Sequence, residues 1–426
     1  MAEARAVKKA SGASRVVFID QARALAITMM IVGHSLDRFL AEPWRSGQAF
    51  HDYQFVRGIT SALFLMVSGC SFVVASFRHW DEYTRWSPKL WGRVRRIALI
   101  YFLGYALHMW APTLFNAWTT WTPDYWVTFL QFDILQNIAT GLLVLHLVVL
   151  VGRDRERFWM VTAAGWFLVI GMGMITYRPE VDARLPVEIG VAVNMSHRSI
   201  FPLIPWMNFL LIGATFGSWF WHRMQKGDEW KVFAVAACAG TALVGLELLI
   251  SAIPWKIFPY AFHTKVTPGN IFARGGLALL VICSLWLLGR WKLVLAKLAF
   301  ILSKDSLAIY FVHLVMVYGG PGFAGCFVSM KKGMDPAQAF AWIMWLFGMM
   351  AIMAWAIGWG RTHRETELTL LRHITLGAFG TAFVVIPYLT VGNFLVVLAI
   401  SAWFFIGVNW LRRRLGEERA TARSRA

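Results

Sequence analysis

Apolar residues fill repeated stretches of the chain, each about twenty residues long and separated from the next by a shorter polar segment. A helix of roughly 20 residues, rising 1.5 Å per residue, matches the hydrocarbon core of a bilayer, which is about 30 Å thick. The stretches are continuously apolar rather than alternating, which indicates helices and not barrel strands. The pattern predicts an all-α, polytopic membrane bundle of about 12 (10–12) helices, at 17–40, 54–77, 95–112, 132–151, 158–177, 200–221, 232–253, 270–289, 304–326, 338–359, 372–391 and 392–411.

The composition agrees with this class of protein. Hydrophobic residues make up 58% of the 426 residues and charged residues only 15%, whereas soluble proteins average about 25% charged residues. The four cysteines lie within or beside apolar stretches and have no metal-ligand spacing. We therefore expect packed free thiols and no metal site.

The basic residues predict the orientation of the bundle. Most of the 41 Lys and Arg lie in alternate loops, on the side that also holds the N-terminus. By the positive-inside rule both termini should be cytoplasmic, and the net charge of +18 then reflects topology rather than nucleic-acid binding. This predicts a basic cytoplasmic N-terminus (1–16), a transmembrane domain (17–411) and a basic, disordered cytoplasmic tail (412–426), in a multi-pass membrane protein.

The first apolar stretch carries the leading candidate for chemistry, His34. In a helix this residue lies roughly 25 Å from Val17, in the outer third of the membrane, where ionisable groups are costly. An imidazole can serve as a general base for a hydroxyl or an amine, and Asp37, one turn later, could orient it. Arg38 would line the same polar cavity. Alternatively, Asp37 and Arg38 only mark the water interface.

A second histidine competes for this role. His51 lies beside Asp52 in the outer loop before the second span. On its own it would be interpreted as a solvent-exposed residue without a function.

The inner loop between the second and third spans is rich in cations and tryptophans, and its candidate ligand-binding residues are Lys89, Arg93 and Arg96. Such a cluster could bind a polyanion such as the phosphates of coenzyme A, or anionic lipid headgroups. The alternative is ordinary anchoring at the inner membrane face.

Two further spans carry polar residues at membrane depth. Asp133, Gln136 and Asn137 lie near the outer end of the fourth span at helical spacing, and Tyr310 and His313 share a face of the ninth. They could line a substrate cavity or join helices by hydrogen bonds.

Six segments in the same order resemble the transmembrane acyltransferase superfamily: IDQARALAITMMIVGHSLD, FVRGITSALFLMVSG, RVRRIALIYFLGYALH, FDILQNIATGLLVLHLVVLV, FPLIPWMNFLLIGATFG and LSKDSLAIYFVHLVMVYG. FDILQ and FPLIPW are closer to bacterial proteins like heparan-α-glucosaminide N-acetyltransferase. The first-span histidine and the Arg93–Arg96 pair are closer to the acyltransferase family 3 sugar O-acyltransferases. Ala24 replaces the glycine that is usual after the first-helix arginine.

The resemblance implies transfer of an acyl group, usually acetyl, from cytoplasmic acetyl-CoA to a hydroxyl or amine of an extracytoplasmic glycan or similar acceptor. It assigns His34 as the catalytic residue and Arg93 and Arg96 to the donor side. The heparan-type branch instead uses a histidine before the second helix, where this chain has His51. Both assignments stay open here. The choice between direct transfer and an acyl-histidine intermediate also stays open. A homodimer is a possible oligomeric state.

A different class of function uses the same residues. In a proton-coupled transporter or flippase, His34, Asp37 and Asp133 would relay protons. The chain lacks the paired broken helices typical of inverted-repeat transporters, which favours the acyltransferase.

Overall fold

The computed structural model describes residues 16–109, 119, 122–253, 267–289, 295–319 and 332–363. Within these ranges the chain is helical and contains no β-strand, apart from one isolated bridge between Leu40 and Met334. The helices are α1 (Val17–Phe39), α2 (Gln48–Arg57), α3 (Ile59–Phe77), α4 (Trp80–Tyr83), α5 (Pro88–Leu107), α6 (Pro123–Leu130), α7 (Ile134–Gly152), α8 (Phe158–Thr176), α9 (Pro179–Asp182), α10 (Val187–Val193), α11 (Leu203–Gln225), α12 (Trp230–Ala252), α13 (Pro268–Gly289), α14 (Leu295–Lys304), α15 (Ser306–Tyr318) and α16 (Pro336–His363).

Eight of the predicted spans correspond to helices that are long and apolar enough to cross a membrane in the described part of the chain. These helices are α1, α2 together with α3, α7, α8, α11, α12, α13 and α16. The third predicted span begins earlier than expected, because α5 starts at Pro88 and includes the basic inner residues. The eleventh and twelfth predicted spans and the C-terminal tail lie outside the described residues, so the count of twelve stays a prediction.

The core of the bundle is built by α1, α3 and α11, with most of the α11 side chains buried. Small residues let α3 and α11 approach closely: a Cβ at Gly213 would overlap the backbone carbonyl of Met66, and one at Gly69 would overlap that of Leu210. Close backbone approach through glycines is typical of membrane helix pairs. By contrast, α8 and α12 turn many of their apolar side chains outward.

Candidate active site

The C-terminal end of α1, which the charge pattern predicts to be extracytoplasmic and which is therefore called its outer end, is fixed by Arg45 in a short 3₁₀ turn just beyond the helix. Its guanidinium donates to the carbonyls of Leu40 at 3.0 Å and Leu36 at 3.1 Å, and also to the carbonyl of Asp37. A helix C-terminus has carbonyl groups without intrahelical partners, and a cation there also interacts favourably with the helix dipole. The last turn of α1, with His34 just before it, is therefore held in place.

A second tether joins this turn to the start of α16. The backbone N–H groups of Lys332 and Met334 donate to the carbonyls of Arg38 and Phe39 at 2.8 Å and 3.0 Å. The ammonium of Lys332 donates to the carboxylate of Glu42, and this hydrogen bond lowers the pKa of the Glu42 carboxyl.

The sequence suggested that Asp37 could orient His34. In the structure the carboxylate of Asp37 pairs with Arg57 instead. One oxygen accepts from Nη1 at 2.7 Å and the other forms an ion pair with Nη2. Gly33 leaves room for this arginine, since a Cβ there would lie 3.0 Å from the Arg57 Nε. The bidentate pair explains why the carboxylate is not available to the imidazole three residues earlier.

The side chain that contacts the ring of His34 is Tyr318, which sequence reasoning missed. Its hydroxyl lies 3.3 Å from Nδ1 of His34 and 3.3 Å from the His34 carbonyl oxygen. The carbonyl can only accept; when the hydroxyl donates its single proton there, Nδ1–H donates to the hydroxyl oxygen. In this arrangement Nε2 of His34 carries the lone pair, and it makes no hydrogen bond to a described residue.

A second imidazole lies beside the first. The rings of His34 and His313 are 5.5 Å apart between centroids, and His313 is fully buried. Nδ1 of His313 donates to the carbonyl of Ile309 at 2.8 Å, while its buried Nε2 has no hydrogen-bond partner among the described residues. Tyr310 packs edge-on against His313 and stacks on Phe64. Of the two predicted residues of the ninth span, His313 therefore meets His34 directly, and Tyr310 contacts His313.

The outer end of α7 adds the third part of the site. Asp133 is not inside the helix but is its N-cap, with its carboxylate accepting from the N–H of Ile134 at 2.7 Å and Gln136 completing a capping box. Asp133 lies 3.9 Å from Nε2 of His108 and is close enough to interact electrostatically with His34. The cap fixes the Asp133 carboxylate relative to the first turn of α7.

Asn137 holds the chain before α11. Its amide donates to the carbonyls of Phe201 and Pro202, at 3.2 Å and 3.0 Å, and its buried side-chain oxygen has no partner among the described residues. Gln136, also fully buried, lies 3.4 Å from Nδ1 of His108. Asn137 thus ties α7 to the segment before α11, and Gln136 lies beside the residue that ends α5.

His51 lies apart from these contacts. It is on α2 and its side chain is exposed.

The three predicted donor-binding cations have different environments at the inner end. Lys89 is bound to Glu82 at 2.5 Å and to His79 at 2.9 Å. Arg93 donates to Ser76 at 2.6 Å, and its guanidinium lies 3.6 Å from the ring centroid of Tyr83. Arg96 is exposed. Arg96 thus presents its charge to the inner face, while Arg93 is largely engaged by the protein.

Sequence reasoning also missed His146, a buried residue at the inner half of α7. Neither ring nitrogen has a hydrogen-bond partner among the described residues, and the ring packs against Tyr83 and Phe72. These aromatic rings also contact Arg93. In the sequence the residues three and four positions from His146 are all Leu or Val, so helical spacing offers this histidine no polar partner.

No group of three or more His, Cys, Asp or Glu side chains arranged to bind a metal occurs among the described residues. The side chains that the outer site presents among the described residues include imidazole, phenol and carboxylate groups.

A comparison with protein families gives this arrangement a context. The family model described as "heparan-alpha-glucosaminide N-acetyltransferase, catalytic" matches residues 15–250, more than half of the chain. The match includes His34, His51 and Asp133, whereas His313 and Tyr318 lie beyond it. No curated protein matches the chain in sequence. The superfamily predicted from the sequence is confirmed, and with eight helices able to cross a membrane among the described residues, the chain belongs to the heparan-α-glucosaminide N-acetyltransferase catalytic-domain family of multi-pass membrane acetyltransferases.

Proposed function

We propose that the protein transfers an acetyl group from cytoplasmic acetyl-CoA to a hydroxyl or amine of an extracytoplasmic saccharide, with His34 as the general base. The observation that carries the proposal is the contact between His34 and Tyr318, which leaves Nε2 of the imidazole able to accept a proton. Family membership supports acetyl transfer and disfavours the proton-coupled transporter.

The reaction needs one proton acceptor near the acceptor sugar. Nε2 of His34 takes the proton from the attacking hydroxyl or amine, whose oxygen or nitrogen then forms a bond to the thioester carbonyl carbon. The tetrahedral intermediate collapses by breaking the carbon–sulfur bond, and the thiolate of coenzyme A takes up the proton from the imidazolium. General base catalysis of this kind contributes about 10²–10⁴-fold in rate.

The donor would enter from the opposite end of the bundle. Coenzyme A is a polyanion, and the exposed Arg96 and the half-buried Arg93 lie at the basic inner end of α5. Arginine suits phosphate groups because its planar fork donates two parallel hydrogen bonds. The thioester arm would then extend between the helices towards His34.

The test is acetyl-CoA turnover by the purified protein in proteoliposomes, measured as release of free coenzyme A. Substituting His34→Gln removes the base and should lower turnover about 100-fold or more. His51→Gln is the matched control, since it changes an exposed histidine on the same outer side and should leave turnover within about twofold. Donor binding, measured in parallel, should survive both substitutions.

The opposite pattern would contradict the assignment. Loss of turnover with His51→Gln alone would move the base to the segment before α3, as in the heparan-type branch. A folded wild-type protein that neither bound nor consumed acetyl-CoA would rule out the acetyl-CoA reaction.

A further inference from the structure

The first turns of α5, at the inner end, have two different faces. Leu90 and Ile97 are buried, and Arg93 between them contacts the protein through its hydrogen bond and its aromatic neighbours. Trp91 and Arg95 are exposed. Residues four apart lie on the same side of a helix, so these two side chains share the face opposite to the buried one. This part of α5 therefore turns an aromatic ring and a cation away from the bundle.

Trp91 is covered on one side by a second exposed tryptophan. Trp86 stacks on it with ring centroids 5.5 Å apart and an interplanar angle of 30°, and the two side chains are still 79% and 51% exposed, Trp86 the more so. The turn between them is held by the Ser87 hydroxyl, which accepts from the N–H of Leu90 at 3.1 Å. Indole rings combine an apolar body with one N–H donor, and tryptophan is enriched where a membrane meets water.

The charge beside this aromatic pair is positive. Lys89 is neutralised by its ion pair with Glu82, whereas among the described residues no hydrogen bond or ion pair engages Arg95. Arg85, which precedes Trp86, is exposed as well. A guanidinium with free N–H groups suits a phosphate, because its planar fork can donate two parallel hydrogen bonds.

The exposed face of α5 continues from this cation into the apolar part of the helix. Trp91, Arg95, Ala98 and Phe102 follow one another at spacings of four, three and four residues and are all exposed, Phe102 by 57%. A Cβ at Gly92 would have no described atom within 4 Å, so the space beside the stripe is open. At 1.5 Å per residue the stripe is roughly 17 Å long. Its polar start and apolar continuation match the headgroup and the acyl chains of one phospholipid.

We propose that Trp86, Trp91 and Arg95 form a binding surface for an anionic phospholipid. Arg95 and the indole N–H groups contact the headgroup phosphate, while the acyl chains lie along Ala98 and Phe102. A zwitterionic lipid carries an ammonium that offsets its phosphate, so it gains less from the guanidinium than a lipid with net negative charge. The inference goes beyond the proposed function, since it assigns a lipid and does not depend on acyl transfer.

The experiment measures which lipid the purified full-length protein retains, by native mass spectrometry in detergent and without acetyl-CoA. The probes are phosphatidylglycerol and phosphatidylcholine with identical acyl chains, added together at equal concentration. We expect the first bound lipid to be phosphatidylglycerol in about a 10-fold excess or more, because each basic residue near the surface adds to the attraction of an anionic lipid.

The variants assign this preference to the proposed surface. Arg95→Gln should lower the ratio of the two retained lipids about fivefold, and Arg95→Lys should keep most of it, because the charge remains. Trp91→Leu should reduce retention of both lipids, since the indole contacts either one. The matched controls are Arg153→Gln and Trp159→Leu, which change exposed residues at the same end of the bundle and should leave retention unchanged. Thermal unfolding checks that each variant is folded.

Three results would overturn the inference. Equal retention of the two lipids by the wild-type protein would reduce the surface to a general membrane anchor. An equal effect of Arg95→Gln and Arg153→Gln would mean that the net charge, and not this surface, selects the lipid. Displacement of phosphatidylglycerol by added coenzyme A, together with weaker coenzyme A binding by Arg95→Gln, would assign Arg95 to the donor instead.

Discussion

At the scale of single residues, the hydroxyl of Tyr318 makes two contacts with the same histidine, one to the ring and one to the carbonyl. When the carbonyl takes the hydroxyl proton, the ring nitrogen nearest the phenol carries its own proton. We therefore expect Tyr318 to act as a positioning residue that determines which nitrogen of His34 can accept a proton.

Replacing Tyr318 with Phe should lower the rate of acetyl-CoA turnover by about 10-fold, the value of one positioning hydrogen bond, and leave the donor KM unchanged. In the His34→Gln background the same change should have little further effect, because the two residues act as a unit. The measurement is a double-mutant cycle of turnover rates. Tyr125→Phe, an exposed outer tyrosine, is the control, and additive losses in the cycle would argue against positioning.

The residues of this site differ in how far the sequence could predict them. His34 stands out because an ionisable group at membrane depth is costly. Helical spacing did not identify the side chain that contacts its ring. Asp37 lies three residues after His34, at the spacing of neighbours on one helix face, but its carboxylate pairs with Arg57. The residue that contacts the ring, Tyr318, is 284 positions away in the sequence.

At the scale of the helices, α3 and α11 form the closest-packed pair of the core through glycines that face a partner backbone. A methyl group added at Gly213 would meet the carbonyl of Met66, whereas one added at Gly171 in α8 would have no described atom within 4 Å. Association of helices in lipid depends on van der Waals contact rather than on the hydrophobic effect, so lost contact is not compensated elsewhere.

Gly213→Ala should therefore destabilise the protein by about 1–3 kcal/mol, the usual cost of forcing extra volume into a packed core. The measurement is thermal unfolding in detergent, with Gly171→Ala as the matched control for adding a methyl group to a membrane helix. We expect a lower midpoint for Gly213→Ala and an unchanged one for Gly171→Ala. Equal midpoints for the two variants would mean that α3 and α11 are not in this close contact.

Hydropathy predicted the helices well wherever the apolar stretch is uninterrupted, as in α7, α8 and α12. Hydropathy was less accurate where charged residues lie inside a helix or at its first residue, so that the apolar stretch and the helix have different boundaries. The basic residues that suggested a loop before the third span lie within α5, because Pro88 and the Ser87 cap start the helix there. Asp133, expected inside the fourth span, is its cap. Capping residues therefore decided both boundaries.

At the scale of the whole molecule, the two ends of the bundle differ in what they could bind. The candidate base and its tyrosine are at the end of α1, and the basic residues of α5 are at the other end, near the start of α1. Because the loops at that second end hold most of the basic residues, we expect it to be cytoplasmic. The donor and the acceptor would then reach the protein from opposite sides of the membrane.

This arrangement predicts that the reaction has a fixed sidedness. Acetyl-CoA is a polyanion that cannot cross the hydrocarbon core unaided, so it reaches only the face of the protein to which it is added. Inside-out membrane vesicles should consume added acetyl-CoA, and sealed right-side-out vesicles should do so only after permeabilisation with detergent. Vesicles containing His34→Gln correct for background hydrolysis. Consumption by sealed right-side-out vesicles, at a rate that permeabilisation does not raise, would place the α5 cations outside and reverse the predicted topology.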